Sequence, residues 1–296
     1  MQTIAIIGGN GYIGKHLAYF LQDKGMHPML FDLQEETSLP GFDYKICDIT
    51  SKSFWESFQP EEFCAIYFFA GLSGPEASFL KAESYIDINE KGLLLVLQRL
   101  MSLGKKAPKI IFPSSRLVYR GGATVNEESV LEPRSVYAAN KIACEGLLSA
   151  YYHRYGIRYA VLRICVPFGN YLDRKYSYGT LGFFVKNVME GKPITVYGNG
   201  ETIKTYTHIW DICEIFHRLE KQDDAIGIFN AGGHDYSLKN VAEMVASRFH
   251  GVVDYIPWPE NASKIEMGNI SLDATKLARL IGFNQYRRME EFINDL

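Results

Sequence analysis

A tyrosine and a lysine lie four positions apart in the sequence, as Tyr137 and Lys141. Residues 136–155 have the pattern of one long helix, and residues four apart share a face of a helix. A tyrosine hydroxyl normally titrates near about pH 10, and a close ammonium group favours the phenolate and lowers that value. The pair is therefore suited to taking and returning a proton near neutral pH.

A pair of serines supplies a second reactive group. Ser114 and Ser115 follow the strand-like apolar run at residues 109–112. A serine at the end of a strand can hydrogen-bond the same oxygen on which the tyrosine acts. The serine pair and Tyr137 together predict chemistry at a hydroxyl or carbonyl oxygen.

A glycine-rich turn lies near the start of the chain. Gly8, Gly11 and Gly14 follow the apolar run at residues 3–7 and open a helical pattern at residues 13–24. In this context a strand ends, the backbone turns tightly, and a helix begins with its amides directed at a pyrophosphate. Side chains larger than hydrogen would block that approach. The turn therefore predicts a bound dinucleotide.

An acidic residue at the end of the second strand distinguishes between dinucleotides. Asp32 lies 18 residues past Gly14, where a carboxylate can accept hydrogen bonds from the adenosine ribose hydroxyls. It would repel a 2′-phosphate, and neither of the next two residues is Arg or Lys. We therefore expect NAD rather than NADP. Asp48 and Ile49, after the third strand, suit the edge of the adenine.

The elements that must position these groups alternate through the first half of the chain. Short apolar runs rich in β-formers are separated by helical patterns, and buried parallel strands have such unbroken runs. This alternation predicts an α/β protein with a doubly wound parallel sheet, the Rossmann fold. We expect residues 1–169 to form this NAD-binding domain, with some later segments returning to it. Residues 170–296 are expected to form mainly a small α+β substrate-binding lobe.

The composition argues against several classes of partner. The 296 residues carry a net charge of −3 without a long basic or acidic run, which disfavours nucleic acid or a membrane surface as a partner. Neither an apolar run of about 18 residues nor a signal peptide is expected. The five cysteines are scattered, with no Cys-x-x-Cys pair. We therefore expect reduced thiols, no metal site and a cytoplasmic location.

In combination, these residues resemble the extended short-chain dehydrogenase/reductase family, the NAD-dependent sugar-nucleotide epimerases and dehydratases. Residues 69–72 are similar to the fourth-strand segment of UDP-hexose 4-epimerases, and residues 114–119 match the family's Ser-Ser-x-x-Val-Tyr segment. Other matches, in the same order as in the family, are residues 85–92, 163–169 and 204–211. The resemblance covers nearly the whole chain.

The resemblance implies a role for each matched position. The implied catalytic residues are Ser115, Tyr137 and Lys141. The implied cofactor-binding residues are Gly8, Gly11, Tyr12, Ile13, Gly14, Asp32, Asp48, Ile49, Phe69, Ala70, Gly71, Asn89, Ser114, Tyr137, Lys141 and Pro167. The implied substrate-binding residues are Ser115, Arg116, Tyr137, Val166, Leu181, Tyr197, Lys204 and Lys264.

The resemblance also implies a mechanism. Tyr137 takes a proton from a sugar hydroxyl while a hydride passes from that carbon to the nicotinamide. Lys141 tunes Tyr137 and holds the nicotinamide ribose, and Ser115 bonds the reacting oxygen. In an epimerase the keto sugar then turns and the hydride returns to the other face, whereas in a reductase the hydride passes one way only, onto a ketone.

Several positions depart from the family pattern. Dehydratases carry Asp-Glu after the catalytic hydroxyl residue, where this chain has Arg116 and Leu117, so 4,6-dehydration is disfavoured. Val166 replaces an Asn that touches the substrate nucleotide, and Lys204 replaces a phosphate-binding Arg. Lysine supplies charge but not a bidentate fork. The later Arg-Pro-Gly-Asp segment is missing, and Lys264 is the nearest candidate cation.

Some positions have two open interpretations. Tyr197 fits either a contact with the nucleotide base or an ordinary core or surface aromatic. Arg116 fits either a substrate phosphate or a neighbouring carboxylate. Residues 171–178 fit either a substrate lid or a polar loop. The helical patterns at residues 84–103 and 136–155 correspond to the helices that pair in family homodimers, although their apolar residues could equally cover only the sheet.

The sequence therefore favours an NAD-dependent sugar-nucleotide epimerase that acts at C4 of a nucleoside-diphosphate hexose through a transient 4-keto intermediate. One alternative is an NAD(P)H-dependent 4-ketoreductase of a deoxysugar nucleotide. A second alternative is a non-enzymatic NAD-binding regulatory protein. The expected partners are a nucleotide-sugar substrate and a second copy of the chain in a homodimer.

Overall fold

The computed structural model describes residues 2–170, 172 and 178–296. The strands are β1 (Thr3–Ile7), β2 (His27–Asp32), β3 (Asp43–Ile46), β4 (Ala65–Phe68), β5 (Lys109–Ser115), β6 (Ala123–Val125), β7 (Tyr159–Ile164), β8 (Val166–Phe168), β9 (Ile194–Tyr197), β10 (Ile203–His208), β11 (Gly227–Asn230), β12 (His234–Ser237), β13 (Val253–Ile256) and β14 (Ile270–Leu272).

The helices are α1 (Tyr12–Asp23), α2 (Lys52–Ser57), α3 (Pro75–Leu80), α4 (Ala82–Tyr85), α5 (Gly92–Leu100), α6 (Val136–Tyr155), α7 (Gly179–Met189), α8 (Ile209–Lys221), α9 (Leu238–Phe249), α10 (Glu260–Ile265), α11 (Thr275–Ile281) and α12 (Met289–Asp295). A π-helical segment, Ile86–Lys91, joins α4 to α5. Short 3₁₀ turns span Pro60–Glu62, Gly104–Lys106 and Arg116–Val118.

The main sheet has the strand order β11-β7-β5-β4-β1-β2-β3. Strand β1 runs parallel to β2 and β4, and the β2–β3 and β4–β5 pairs are also parallel. Chain order proceeds outward in both directions from β1, so the carboxyl ends of β1 and β4 mark the switch point at which such sheets bind ligands. The predicted α/β fold with a doubly wound parallel sheet is confirmed.

The strands around this switch point are held by apolar burial on both faces. The side chains of Ile4, Ile6 and Ile7 in β1 are fully buried, as is the whole of β4. Parallel sheets covered on both faces require such unbroken apolar strands. The buried sheet thereby gives a fixed edge from which the loops carrying the predicted site residues extend.

Contacts divide the chain into two compact units. The first contains residues 1–118, 133–163 and 213–229, and the second contains residues 119–132, 164–212 and 230–296. This grouping differs from the expected division at residue 169 at residues 119–132 and 164–169, whereas residues 213–229 are a later segment of the kind expected to return to the first unit. The last segment returns to the first unit because it completes the sheet with β11.

The second unit mixes strands and helices around a core of its own. Strand β10 pairs antiparallel with β12 and parallel with β8 and β14, while β9 and β13 form a separate parallel pair. Helices α7, α9 and α12 contribute the buried residues Phe184, Val241 and Met289 to this core. Of the segment predicted as a lid or a loop, residues 171 and 173–177 lie outside the described residues.

Neither a membrane-spanning helix nor a metal-binding cluster occurs among the described residues. Within this part of the chain, no helix has both the length and the apolar character that crossing a membrane requires. Over the same residues, no cluster of three or more His, Cys, Asp or Glu side chains has the arrangement of a metal site.

Candidate active site

The tyrosine and the lysine lie on one face at the start of α6. The Ser135 side chain caps this helix by accepting a hydrogen bond from Ala138 N at 3.2 Å, and such a cap fixes the first turn. Tyr137 lies in that turn and Lys141 one turn later. The Lys141 Nζ is 5.7 Å from the centre of the Tyr137 ring, so the structure brings these two predicted residues together.

The Lys141 ammonium is tied to the end of β5. Its Nζ donates a hydrogen bond to Pro113 O at 2.7 Å and lies 4.4 Å from the centre of the Phe112 ring. Burial lowers the pKa of Lys141 to about 8, although the nearby Cys144 and Glu145 act in the opposite direction. The bond to Pro113 holds the first turns of α6 against the strand that carries Ser115.

Ser115 ends β5 and is only 8% exposed. Its Oγ accepts a hydrogen bond from Leu117 N at 3.2 Å, at the 3₁₀ turn that follows the strand. Because Oγ is the acceptor in that bond, the hydroxyl hydrogen can be directed at a bound oxygen. The backbone therefore orients Ser115 as a hydrogen-bond donor.

A buried ion pair lies behind these groups. Arg163 on β7 donates two hydrogen bonds to Glu145 on α6, from Nε at 2.9 Å and from a terminal nitrogen at 2.6 Å. The Ser114 hydroxyl donates to the same carboxylate at 2.6 Å. All three side chains are at most 4% exposed. The hydroxyl hydrogen of Ser114, predicted to bind the cofactor, is thus committed to Glu145, so its side chain could meet the cofactor only as an acceptor.

Sequence reasoning did not identify the Glu145–Arg163 pair. Two signals were available: Glu145 lies four residues after Lys141 on the same helix, and Arg163 interrupts an otherwise apolar strand. A charge within a buried strand requires a partner, since an unpaired charge there is very costly. The sequence alone did not indicate that the partner would lie on α6.

The glycine turn has the geometry that a close-lying dinucleotide needs. A Cβ atom on Gly8 would lie 2.5 Å from Ala70 N, and one on Gly14 would lie 2.3 Å from Gly8 O. Gly8 also has a φ of 92°, which favours glycine. Tyr12 begins α1 and Ile13 follows it, so the first amides of the helix lie beside the turn. These residues fit the pyrophosphate of NAD.

A cavity of about 480 Å³ opens beside this turn in the first unit. It is lined by residues at the carboxyl ends of β1 to β4, among them the predicted residues Gly8, Gly11, Asp32, Asp48, Ile49, Phe69, Ala70 and Gly71. Its volume lies within the range of about 300–1,000 Å³ typical of small-molecule pockets. The fold therefore gathers eight of the predicted cofactor residues around one cavity large enough for the adenosine part of NAD.

Comparison with known proteins agrees with this geometry. The family model described as the NAD dependent epimerase/dehydratase family matches residues 4–232, which is more than three quarters of the chain. The chain belongs to the NAD dependent epimerase/dehydratase family. Its cofactor is accordingly NAD, and the glycine turn and the cavity are consistent with this cofactor.

Relatives within the epimerase/dehydratase family carry different reaction names. A UDP-glucuronate 4-epimerase of Thermodesulfobacterium geofontis is 28% identical over 224 residues, which cover 70% of this chain and 68% of that protein. A dTDP-D-glucose 4,6-dehydratase of Dictyostelium discoideum is 23% identical over 267 residues, which cover 81% of this chain and 60% of that protein. The relatives therefore support an enzyme of this family. The type of reaction has to be inferred from the residues of the site.

A solved structure confirms the fold. The UDP-glucose 4-epimerase of Thermus thermophilus, in a complex with NAD, has a TM-score of 0.85 to this chain. The alignment covers 99% of this chain and 97% of that one at 23% sequence identity.

In this epimerase/dehydratase family member, Asn89 contacts the loop after β4. Its Oδ1 accepts from Leu72 N at 2.7 Å, and its Nδ2 donates to Leu72 O at 3.1 Å. A Cβ atom on Gly71 would lie 2.8 Å from Asn89 Oδ1. Asn89 is predicted to bind the cofactor, and the described contacts show that its side chain holds the loop that lines the cavity.

The substrate-binding residues predicted in the second unit, and the predicted cofactor-binding residue Pro167, have varied surroundings. Val166 and Pro167 lie half-buried in β8, and the Tyr197 ring packs 5.3 Å from that of Trp258. Leu181 is 1% exposed in the core of this unit. Because its side chain is occupied by packing, the predicted substrate contact of Leu181 would have to involve its backbone.

The two lysines predicted to meet phosphate both have carboxylate partners. The Lys204 Nζ lies 3.4 Å from Glu266 Oε2. The Lys264 Nζ lies 2.6 Å from Glu260 Oε1, in an exposed pair one turn apart on α10. A phosphate group would have to compete with these carboxylates for either lysine. Arg116, by contrast, is half-buried in the turn that follows Ser115.

Proposed function

We propose that this chain is an NAD-dependent nucleotide-sugar epimerase that acts at C4 of a nucleoside-diphosphate hexose through a transient 4-keto intermediate. The observation that carries the proposal is the grouping of Ser115, Tyr137 and Lys141 in the first unit. The Lys141 Nζ lies beside the Tyr137 ring and is bonded to the backbone two residues before Ser115. This grouping supports proton transfer at a single hydroxyl-bearing carbon.

Each of the three side chains has a distinct task in this proposal. Tyr137 accepts the proton of the sugar hydroxyl as general base and later returns it as general acid. The Ser115 hydroxyl donates a hydrogen bond to the same oxygen. The Lys141 ammonium stabilises negative charge on Tyr137. Bound NAD supplies the reversible acceptor for the hydride that leaves the same carbon.

The residues after Ser115 disfavour dehydration as the reaction. Elimination of water requires an acid and a base in addition to the groups that oxidise C4. Arg116 carries a cationic guanidinium, which has no acceptor site, and the Leu117 side chain is apolar. Epimerisation needs only the proton-transfer set described above, and the site supplies that set.

An assay without added cofactor tests the proposal against its alternatives. The protein, purified with NAD bound, is incubated with UDP-, GDP-, CDP- and dTDP-hexoses, and the products are followed by NMR. Interconversion of two C4 epimers of at least one of these substrates supports the proposal. Consumption of added NADH by a keto-sugar nucleotide without epimerisation would show a 4-ketoreductase instead.

A single variant separates enzymatic from regulatory roles. Tyr137→Phe removes the proton-transferring hydroxyl and keeps the ring, so turnover should fall by about 10²–10⁴-fold. Its affinity for NAD, measured by calorimetry, should stay within a few-fold of the parent. An unchanged rate in this variant would show that Tyr137 does not transfer the proton, whereas no turnover in either protein would favour a non-enzymatic NAD-binding protein. The homodimer and the cytoplasmic location stay predictions from the family resemblance and the composition.

A further inference from the structure

The side chain of Asn10, in the middle of the glycine turn, is bonded to the loop that follows β2. Its Nδ2 donates to Gln34 Oε1 at 3.1 Å and to Glu36 O at 3.0 Å. Its Oδ1 accepts from Thr37 Oγ1 at 3.1 Å and from Ser38 N at 3.2 Å. The side chain is thus satisfied as both donor and acceptor, and the residue is 8% exposed. We call residues 33–38 the β2 loop.

Tyr44 on β3 fastens the β2 loop from its other side. The Tyr44 hydroxyl donates a short hydrogen bond to Gln34 O. It also lies 3.4 Å from Asn10 Nδ2 and 3.4 Å from Asp32 O. Burial, followed by the charge of Asp32, raises the pKa of Tyr44, so this hydroxyl stays a donor at physiological pH. The loop is therefore held at both the turn and the third strand.

The backbone of the same turn also fixes the carboxylate that selects the ribose. Asp32 Oδ2 accepts from Asn10 N at 2.9 Å, and Oδ1 accepts from Leu33 N at 2.8 Å. Asp32, Leu33 and Gln34 all line the cavity that fits the adenosine part of NAD. Asn10 thus bonds Asp32 through its backbone and the β2 loop through its side chain.

We propose that Asn10 is a cofactor-specificity residue, which holds the β2 loop closed so that the site admits the 2′-hydroxyl of NAD and excludes the 2′-phosphate of NADP. A 2′-phosphate needs space and a cation beside the residues that follow β2. Here the loop occupies that region, contains Glu35 and Glu36, and is followed by neither Arg nor Lys before Lys45. The inference rests on NAD as the cofactor and goes beyond the proposed epimerase activity.

A double-mutant cycle in nucleotide binding tests this role. Dissociation constants for NAD and NADP are measured by calorimetry on nucleotide-free parent protein, Asn10→Ala, Asp32→Ala and the double variant. Asp32→Ala alone should leave NADP binding weak, because the loop remains closed. The ratio of NADP affinity to NAD affinity should rise in the double variant. This rise should exceed the product of the rises in the two single variants by at least about tenfold.

A matched control lies in the same loop. Glu35 is exposed and carries a charge, so Glu35→Ala changes the loop's charge and leaves the bonds of Asn10 in place. In the Asp32→Ala background it should change the ratio of NADP to NAD affinity by no more than a few-fold. A gain equal to that of Asn10→Ala would overturn the proposal, since charge alone would then explain the selectivity.

A second route removes two of these four bonds from the loop side, those of the Gln34 and Thr37 side chains. Gln34→Ala combined with Thr37→Val leaves the glycine turn intact, and in the Asp32→Ala background it should reproduce part of the shift towards NADP even if Asn10→Ala fails to fold. The proposal would be overturned if the effects of Asn10→Ala and Asp32→Ala on the ratio of NADP to NAD affinity were independent of each other. It would also be overturned if the folded variants lost equal affinity for both nucleotides. The cycle uses no sugar nucleotide, so its outcome is separate from that of the epimerase assay.

Discussion

At the scale of single residues, the proposed chemistry depends on one cation held in a poorly solvated position. The Lys141 ammonium is bonded to Pro113 O and packed against the Phe112 ring. Burial disfavours its charged form and lowers its pKa to about 8. Lys141 is consequently protonated at neutral pH, yet it can lose its proton a little above that range.

This lowered pKa predicts the alkaline limb of the pH–rate profile. As the pH rises through about 8, Lys141 loses the charge that stabilises a negative Tyr137, so kcat should fall. The measurement is kcat against pH with saturating substrate. In Lys141→Arg the guanidinium keeps its proton, so the limb near pH 8 should disappear even where the maximal rate is lower. The same limb in that variant would assign the titration to another group.

A second residue-scale prediction concerns Arg116, whose two interpretations remain open. If this half-buried guanidinium binds the anionic part of the substrate, Arg116→Ala should raise KM about tenfold or more while kcat changes little. Arg116→Lys should recover only part of the affinity, because it lacks the bidentate fork. An unchanged KM in Arg116→Ala would favour a neighbouring carboxylate as its partner.

At the scale of elements, helix α6 is anchored to the sheet by the Glu145–Arg163 pair. Arg163→Met would leave Glu145 buried without its cation, so the free energy of unfolding should fall by about 3–5 kcal/mol. Arg163→Met combined with Glu145→Met should recover most of this loss, because no buried charge remains. Urea unfolding of the two variants measures the difference. A double variant no more stable than the single one would contradict this interpretation.

The π-helical segment between α4 and α5 leads to a second prediction at this scale. Asn89→Ala would leave the amide and the carbonyl of Leu72 without their side-chain partner, so the loop that lines the cavity should loosen. We expect NAD affinity to weaken by about tenfold, in line with the loss of about two hydrogen bonds. Asp87→Ala, an exposed position of the same segment, is the matched control and should bind NAD like the parent. Equal affinities in both variants would contradict the role of Asn89.

These elements also show what local sequence patterns could predict. The apolar runs located β1, β2, β4 and β5 because buried strands need uninterrupted apolar residues. The pattern at residues 84–103 predicts one helix, whereas the structure has α4, a π-helical segment and α5. The bond between Asn89 and Leu72 joins residues 17 positions apart, and local periodicity carries no information about such a contact.

At the scale of the whole molecule, the two units are not consecutive in the chain. Residues 213–229 return to the first unit, and residues 119–132 leave it for the second. This exchange of segments between the units depends on pairing between strands that are distant in the sequence. The composition on either side of residue 169 does not indicate such pairing. The glycine turn, Asp32 and the Tyr137–Lys141 pair could be found because their chemistry lies in short local motifs. The hydrogen bonds between Asn10 and the β2 loop could not be found in this way, because the Asn10 side chain bonds residues 24 to 28 positions away.

Binding of NAD should also stabilise the molecule as a whole. A ligand that binds only the folded state adds about 2.7 kcal/mol at a concentration one hundred times its Kd. Thermal unfolding of nucleotide-free protein should therefore shift to a higher Tm with NAD, and less with the same concentration of NADP. An equal shift with both nucleotides would contradict the predicted preference for NAD.

The central claim is that hydrogen leaves and returns to C4 of one nucleotide sugar within the Ser115, Tyr137 and Lys141 site. The most direct measurement uses the hexose nucleotide that turns over, deuterated at C4, incubated with the NAD-loaded protein in ordinary water and followed by NMR. We predict that the second C4 epimer appears with its deuterium still at C4, while Tyr137→Phe gives no second epimer within the same time. Loss of deuterium to the solvent, or the absence of a second epimer with every hexose nucleotide, would contradict the account.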